Sequence, residues 1–225
     1  MNYNKLMEEE INNIVAEGKT PSVLLHSCCA PCSSHVIDTL TKYFDITILY
    51  YNPNIEPYEE YEKRKKEEIR FINEYPSVNK LTIMDCDHDN EIYHETIKGL
   101  EQEREGGARC IKCYYLRLEK TAIEALKNGF DYFATTLTVS PLKNSQKLNE
   151  IGEYLSKKYN IKYLYSDFKK KEGYKHSIEL SKEYNLYRQD YCGCIYSKEQ
   201  REQEKLNKNI RDELSWYFFK IRKVR

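Results

Sequence analysis

Nine residues, Leu24 to Cys32, constrain this chain more than any others. A short apolar run from Ser22 to Leu25 stops at Cys28, Cys29 and Cys32, three cysteines within five residues. A run so short and so sharply bounded reads as a buried strand, and this one delivers thiols to its own C-terminal end. Neighbouring side chains on an extended chain point to opposite sides, and a disulfide between adjacent cysteines closes a strained eight-membered ring. A turn at Ala30-Pro31 brings the thiols round to one shared ligand. Soft ligands at a strand end suit a metal ion or an iron–sulfur cluster. The competing reading makes them small buried hydrophobes. That suits either of Cys28 and Cys29 alone better than it suits a triplet followed by two further cysteine pairs.

The rest of the chain alternates strands with helices. After the first strand, Ser33 or Ser34 caps a helix to about Lys42. Ile46–Tyr51 is a second strand, broken by Asn52-Pro53-Asn54, and a helix follows from about Pro57 to Asn73. Lys80–Asp85 is a third strand, ending in Cys86-Asp87-His88, a cluster with ligand chemistry but no diagnostic spacing. A helix spans roughly Asn90 to Glu103. Gly106-Gly107 then opens a loop into Cys110-Ile111-Lys112-Cys113 at the start of a helix to about Asn128. There the exposed amides and helix dipole favour thiolates. Alone, this pair is a redox couple or half a zinc site; beside Cys28 and Cys29 it supplies the third and fourth ligands of a four-thiolate site. Asp131–Thr136 is a fourth strand, and the Leu137–Ser145 turn into a helix to about Tyr159 is either an anion-binding device or an ordinary capped turn. Tyr163–Phe168 is a fifth strand, followed by a helix from Tyr174 to Tyr184. Tyr191-Cys192-Gly193-Cys194 then leads into a polar helix from Ser197.

This alternation predicts an α/β fold, a single Rossmann-like domain with a mainly parallel sheet. The core runs from about 20 to 197, with an N-terminal helix over 1–18 and a polar helical C-terminal extension over 198–225. Sites in such sheets lie at the C-terminal strand ends, where Cys28, Cys29, Cys86 and the Thr136–Ser145 loop all fall. Lys and Arg number 36, as do Asp and Glu, so global charge names no partner. Local basic patches carry any RNA contact: Lys63–Lys66, Lys143, Lys169–Lys171 and the tail after Lys220. No apolar run approaches a membrane span, and the N-terminus lacks a signal-peptide pattern. A cytoplasmic location without membrane contact follows as the expectation. Eight cysteines in such a chain argue for metal or redox chemistry over structural disulfides.

The constellation resembles the QueH type of epoxyqueuosine reductase. The matching pieces, in order, are Leu25–Cys32, Tyr51–Ile55 with Tyr61–Arg64, Arg109–Tyr114, Thr135–Asn144, Asp167–Lys170 and Tyr187–Cys194. The resemblance implies a nucleotide α-hydrolase-like fold and an oxidoreductase that removes the epoxide oxygen of epoxyqueuosine at the tRNA wobble position, yielding queuosine. It implies a 4Fe–4S cluster on Cys28, Cys29, Cys110 and Cys113, and a redox-active disulfide between Cys192 and Cys194. The implied partners are tRNA carrying epoxyqueuosine and an unidentified electron donor. Some members carry an acidic residue in place of Cys32. Cys32, Asp87 and His88 are spare candidates for a second metal, an additional mononuclear iron, or for proton transfer.

Two rival readings are set against this one. A tRNA sulfurtransferase of the ATP-binding type needs a Ser/Gly-rich phosphate loop after the first strand, where this chain has Cys28-Cys29-Ala30-Pro31 and no glycine. A non-enzymatic zinc module on RNA would close all four thiolates around one ion.

Overall fold

The computed structural model describes residues 1–223, with side chains through Asp212. The elements are α1 (Tyr3–Ala16), β1 (Ser22–His26), α2 (Ala30–Leu40), β2 (Asp45–Leu49), α3 (Tyr58–Glu74), β3 (Leu81–Met84), α4 (Asn90–Ile97), α5 (Ala108–Lys127), β4 (Tyr132–Thr135), α6 (Ser145–Tyr159), β5 (Lys162–Tyr163), α7 (Gly173–Glu183) and α8 (Ile195–Lys223). A short 3-10 turn, Thr136–Val139, follows β4.

The sheet is wholly parallel, in the order β3-β2-β1-β4-β5. Strand alternation sends successive side chains to opposite faces. Val23 and Leu25 of β1, Ile46 and Ile48 of β2, and Tyr132 and Ala134 of β4 pack under α1, α2 and α3. Leu24 and Phe133 pack on the other face beneath Leu118, Ala122 and Ala125 of α5 and Leu148 and Leu155 of α6. Chain order reverses at β1, which lies between β2 and β4. The crevice at such a reversal is where open α/β sheets bind ligands, and the Cys28–Cys32 turn leaves the sheet there.

Three expectations need correction. The first helix starts at Ala30 with Cys29 as its cap residue; Ser33 and Ser34 lie inside its first turn and donate to the Ala30 and Pro31 carbonyls. Pro31 in the first turn allows this early start, because its missing N–H would have no helical partner there. The helix after β3 stops at Ile97, not near Glu103, because the chain turns at Gly99 with φ +81°. β5 is two residues long: beyond Tyr163, Asn149 takes the Ser166 backbone, accepting from its N–H and donating to its carbonyl, so the chain leaves the sheet. The turn before α6 is a capped turn, with Asn144 accepting from the Lys147 amide.

Candidate functional site

Cys28, Cys29 and Cys32 come together at the start of α2, with their sulfurs all within 4.8 Å of one another. Cys28 Sγ and Cys29 Sγ are 3.8 Å apart. The helix dipole favours negative charge at this end. Hydrogen bonds from the Cys29 and Cys32 thiols hold the Cys28 thiol well below its usual range, and Lys143 and Arg117 add to the effect. The same sharing pushes Cys29 up to about 12 and raises Cys32 as well. Within the triplet the thiolate is thus favoured at Cys28 over Cys29 and Cys32.

A second set of thiols faces it from α5 and the loop before α8. Cys110, Cys113 and Arg117 recur at helical spacing and are all buried. The Gly106 amide donates to Cys110 Sγ at 3.2 Å, and Arg117 Nη1 reaches Cys113 Sγ at 3.6 Å. Burial pushes Cys110 up to about 12 and raises Cys113 too. Arg117 Nε donates to His26 Nε2 at 3.2 Å, and the opposite ring nitrogen lies 3.0 Å from Thr135 Oγ1. Burial first, then Arg117, drives His26 down to about 3, so it stays neutral. Lys143, also buried, donates from Nζ to Cys192 Sγ at 3.3 Å. Burial opposes its charge, and Cys192, Tyr114, Cys28 and Cys32 outweigh that penalty.

Neither Arg117 nor Lys143 has a carboxylate within ion-pair distance among the described residues. Two buried cations facing thiols, a phenol and a neutral imidazole call for an anion in their midst. Cysteine thiolates flanked by hydrogen-bond donors are the donor set of an iron–sulfur cluster. Cys28, Cys29, Cys110 and Cys113 fit that group on this chemistry. The structure gathers the triplet; it does not draw Cys110 and Cys113 into the same 4.8 Å group.

The thiols open onto a cleft of about 460 Å³, lined among others by Cys28, Cys32, Lys143, Tyr174, Arg188, Gln189, Tyr191 and Cys192. Cys192 and Cys194 are free thiols that face different ways: Cys192 meets Lys143 at the cleft, and Cys194 packs with Tyr93, Ile97 and Cys113. Gly193 between them has φ +133°, and a side chain there would meet Ile55 at 2.9 Å. Arg64 Nη1 holds the Cys192 carbonyl at 3.1 Å.

Asp87 and His88 lie elsewhere. They line a separate cleft with Tyr58, Tyr61, Lys65, Asp85 and Cys86. His88 donates from Nε2 to the Ile55 carbonyl and lies 4.2 Å from the Tyr61 ring. Two bases expected to face RNA are interior: Arg64 is 1% exposed and paired with Glu60, and Lys143 is 9% exposed. Lys63, Lys66, Lys170 and Lys171 are exposed; the tail after Lys220 lies outside the described side chains.

The sequence reading missed Arg117, which stands four residues beyond Cys113 on the same helix face, and the contact of Gln189, within the Tyr187–Cys194 piece, with Cys29.

A family model for "Epoxyqueuosine reductase QueH" matches residues 23–200, a stretch that holds all eight cysteines. The chain belongs to the QueH family. Among curated QueH epoxyqueuosine reductases, that of Streptococcus pyogenes is 44% identical over 199 residues, covering 88% of this chain and 78% of the relative. The Staphylococcus epidermidis protein is 42% identical, covering 88% and 84%. The Thermotoga maritima protein is 37% identical, covering 81% and 93%. Among solved structures, the U34-tRNA thiolase NcsA from Methanococcus maripaludis, determined with its 4Fe–4S cluster, aligns with a TM-score of 0.51 at 16% identity, covering 93% of this chain and 75% of that one. That likeness is one of fold, and it agrees with the nucleotide α-hydrolase-like architecture expected from the QueH resemblance. No helix among the described residues is long and apolar enough to cross a membrane.

Proposed function

We propose that this chain is an iron–sulfur-dependent epoxyqueuosine reductase acting on tRNA, and that the cleft beside Cys28 and Cys192 receives the modified base. The observation that carries the reading is membership of the QueH family over a stretch that includes every thiol of the site. Cys28, Cys29, Cys110 and Cys113 would hold a 4Fe–4S cluster. When bound, the cluster would supply electrons one at a time.

Turning an epoxide into an alkene and water takes up two electrons and two protons. Oxidation of a dithiol to a disulfide releases the same number of each. Cys192 and Cys194 are therefore the pair that balances one turnover, reduced again by an electron donor after each cycle. For the pair to close, the loop must rotate about Gly193, since the two sulfurs face different ways. Lys143 keeps an ammonium at the cleft wall, where it opposes the negative charge that develops on the departing oxygen. Buried Arg117 bonds neutral His26 and reaches Cys113, so it steadies the thiol side of the site. Cys32 stands beside the ligand pair as the third thiol of the triplet and is the remaining candidate for a second, mononuclear iron.

Anaerobic purification with iron and sulfide analysis, followed by nucleoside analysis of treated tRNA, tests the proposal. Brown protein that converts epoxyqueuosine to queuosine supports it. Colourless zinc protein, or tRNA that gains sulfur instead, overturns it.

A further inference from the structure

Gln189 lines the cleft, and its amide is divided between two surroundings. Its Nε2 donates to Cys29 Sγ at 2.8 Å across 160 residues of chain. Its Oε1 is buried and has no partner among the described residues. The flanking chain is pinned on both sides: the Tyr187 amide donates to Glu67 at 2.7 Å, and the Asp190 carbonyl accepts from Arg201 at 3.0 Å. These bonds hold the backbone on either side of Gln189. An unmatched buried acceptor is destabilising until a donor reaches it. Gln189 itself lines the cleft, so a small turn of its amide presents Oε1 to a group that enters there.

We propose that Gln189 is a positioning residue that couples occupancy of the cleft to the Cys29 sulfur. This rests on the functional reading above. A hydroxyl or N–H of the bound nucleoside donates to Oε1. Hydrogen bonds in series polarise one another, so the N–H to Cys29 strengthens. Hydrogen bonds to ligand sulfurs help set the potential of an iron–sulfur centre; a stronger one favours the more negative, reduced state. Substrate entry thus makes the centre easier to reduce. Coupling between binding sites is reciprocal, so the reduced protein binds the nucleoside more tightly than the oxidised protein.

The test is an anaerobic redox titration of the holoprotein, followed by visible absorbance and electron paramagnetic resonance, with and without an anticodon stem–loop carrying queuosine. That RNA has no epoxide and is not consumed. In wild type the potential is expected to rise when the RNA is added. Gln189→Met, close in size but without a donor, should start at a lower potential and not respond. Gln189→Glu, which sets a carboxylate against the sulfur, should start lower still. Both should lose about 10–100-fold in kcat/KM while keeping iron content, the usual scale for removing a group that supports a metal ligand. A wild-type potential that RNA leaves unmoved overturns the inference, without recourse to any variant. So does a Gln189→Met protein with the wild-type potential and response. Wild-type protein without iron and sulfide overturns the functional reading, and the inference with it.

Discussion

Replacing Glu68 with Gln probes the interior behind the thiol turn. Glu68 on α3 is fully buried, and neither carboxyl oxygen has a hydrogen-bond partner among the described residues. Burial pushes its pKa from 4.5 up to about 8, against a smaller opposing pull from the nearby Ser33 and Ser27 hydroxyls. The folded chain therefore keeps a proton that the unfolded chain has already released. The stability this provides is whole below the unfolded value and drains away as pH rises toward the folded one. Each pH unit inside that window costs about 1.4 kcal/mol. From about pH 5.5 to 8, wild type should lose about 3 kcal/mol through this one group. Gln is nearly isosteric and neutral throughout, so the variant escapes the loss. For a chain of this size the gap between the two melting temperatures should widen by about 6–12 °C over that range. The assay is anaerobic thermal unfolding by circular dichroism at several pH values. Parallel curves of melting temperature against pH would show that Glu68 is already ionised in the fold, and would refute the argument.

Other consequences can be checked directly. The Cys110→Ala, Cys113→Ala double variant should lose most of its iron and all turnover; full cluster occupancy in that protein would remove α5 from the ligand set. Cys192→Ser and Cys194→Ser should each keep the iron content of wild type but lose most multiple-turnover activity, and thiol trapping should find the pair oxidised after substrate is added anaerobically. Parental rates in the double Ser variant would exclude the relay. Affinity for tRNA should fall steeply with salt through exposed bases such as Lys63, Lys66, Lys170 and Lys171, because phosphate contacts release counterions; an affinity indifferent to salt, or to reversal of these charges, would contradict this.

The thiol-bearing strand and the α/β alternation were legible because each depends on local pattern. β1 is short, apolar and bounded, and its residues divide between the two faces as period two requires. The QueH assignment was legible too, since it rests on six pieces that recur in order. What escaped depends on contacts between distant parts of the chain. Glu68 sits in a run of charges that reads as a solvated helix face, yet it is wholly interior. Arg64 and Lys143 looked like phosphate-facing bases, and both turned inward to the Cys192 segment. No local pattern could pair Gln189 with Cys29. β5 failed in the opposite sense: its residues suit a strand, but an asparagine from α6 took the backbone that a longer strand would have used.

The two buried cations explain how these pieces depend on one another. Arg117 is 1% exposed, and its donors reach a neutral histidine and a thiol whose own pKa burial raises. A buried charge left unpaired costs several kcal/mol. Arg117 and Lys143 both add to the lowering of the Cys28 thiol. Neither cation has a carboxylate at ion-pair distance among the described residues, so positive charge is in excess there. A further anionic group bound between α2 and α5 would settle that imbalance, and its binding energy would then count as folding energy. The loop that carries Cys192 is anchored by Lys143 and Arg64, so the same charge that seats such a group also shapes the wall of the cleft. Emptying the site should therefore loosen the cleft as well as remove its chemistry. Activity lost by substituting Arg117 or Lys143 should accordingly be accompanied by weaker binding of whatever the cleft holds.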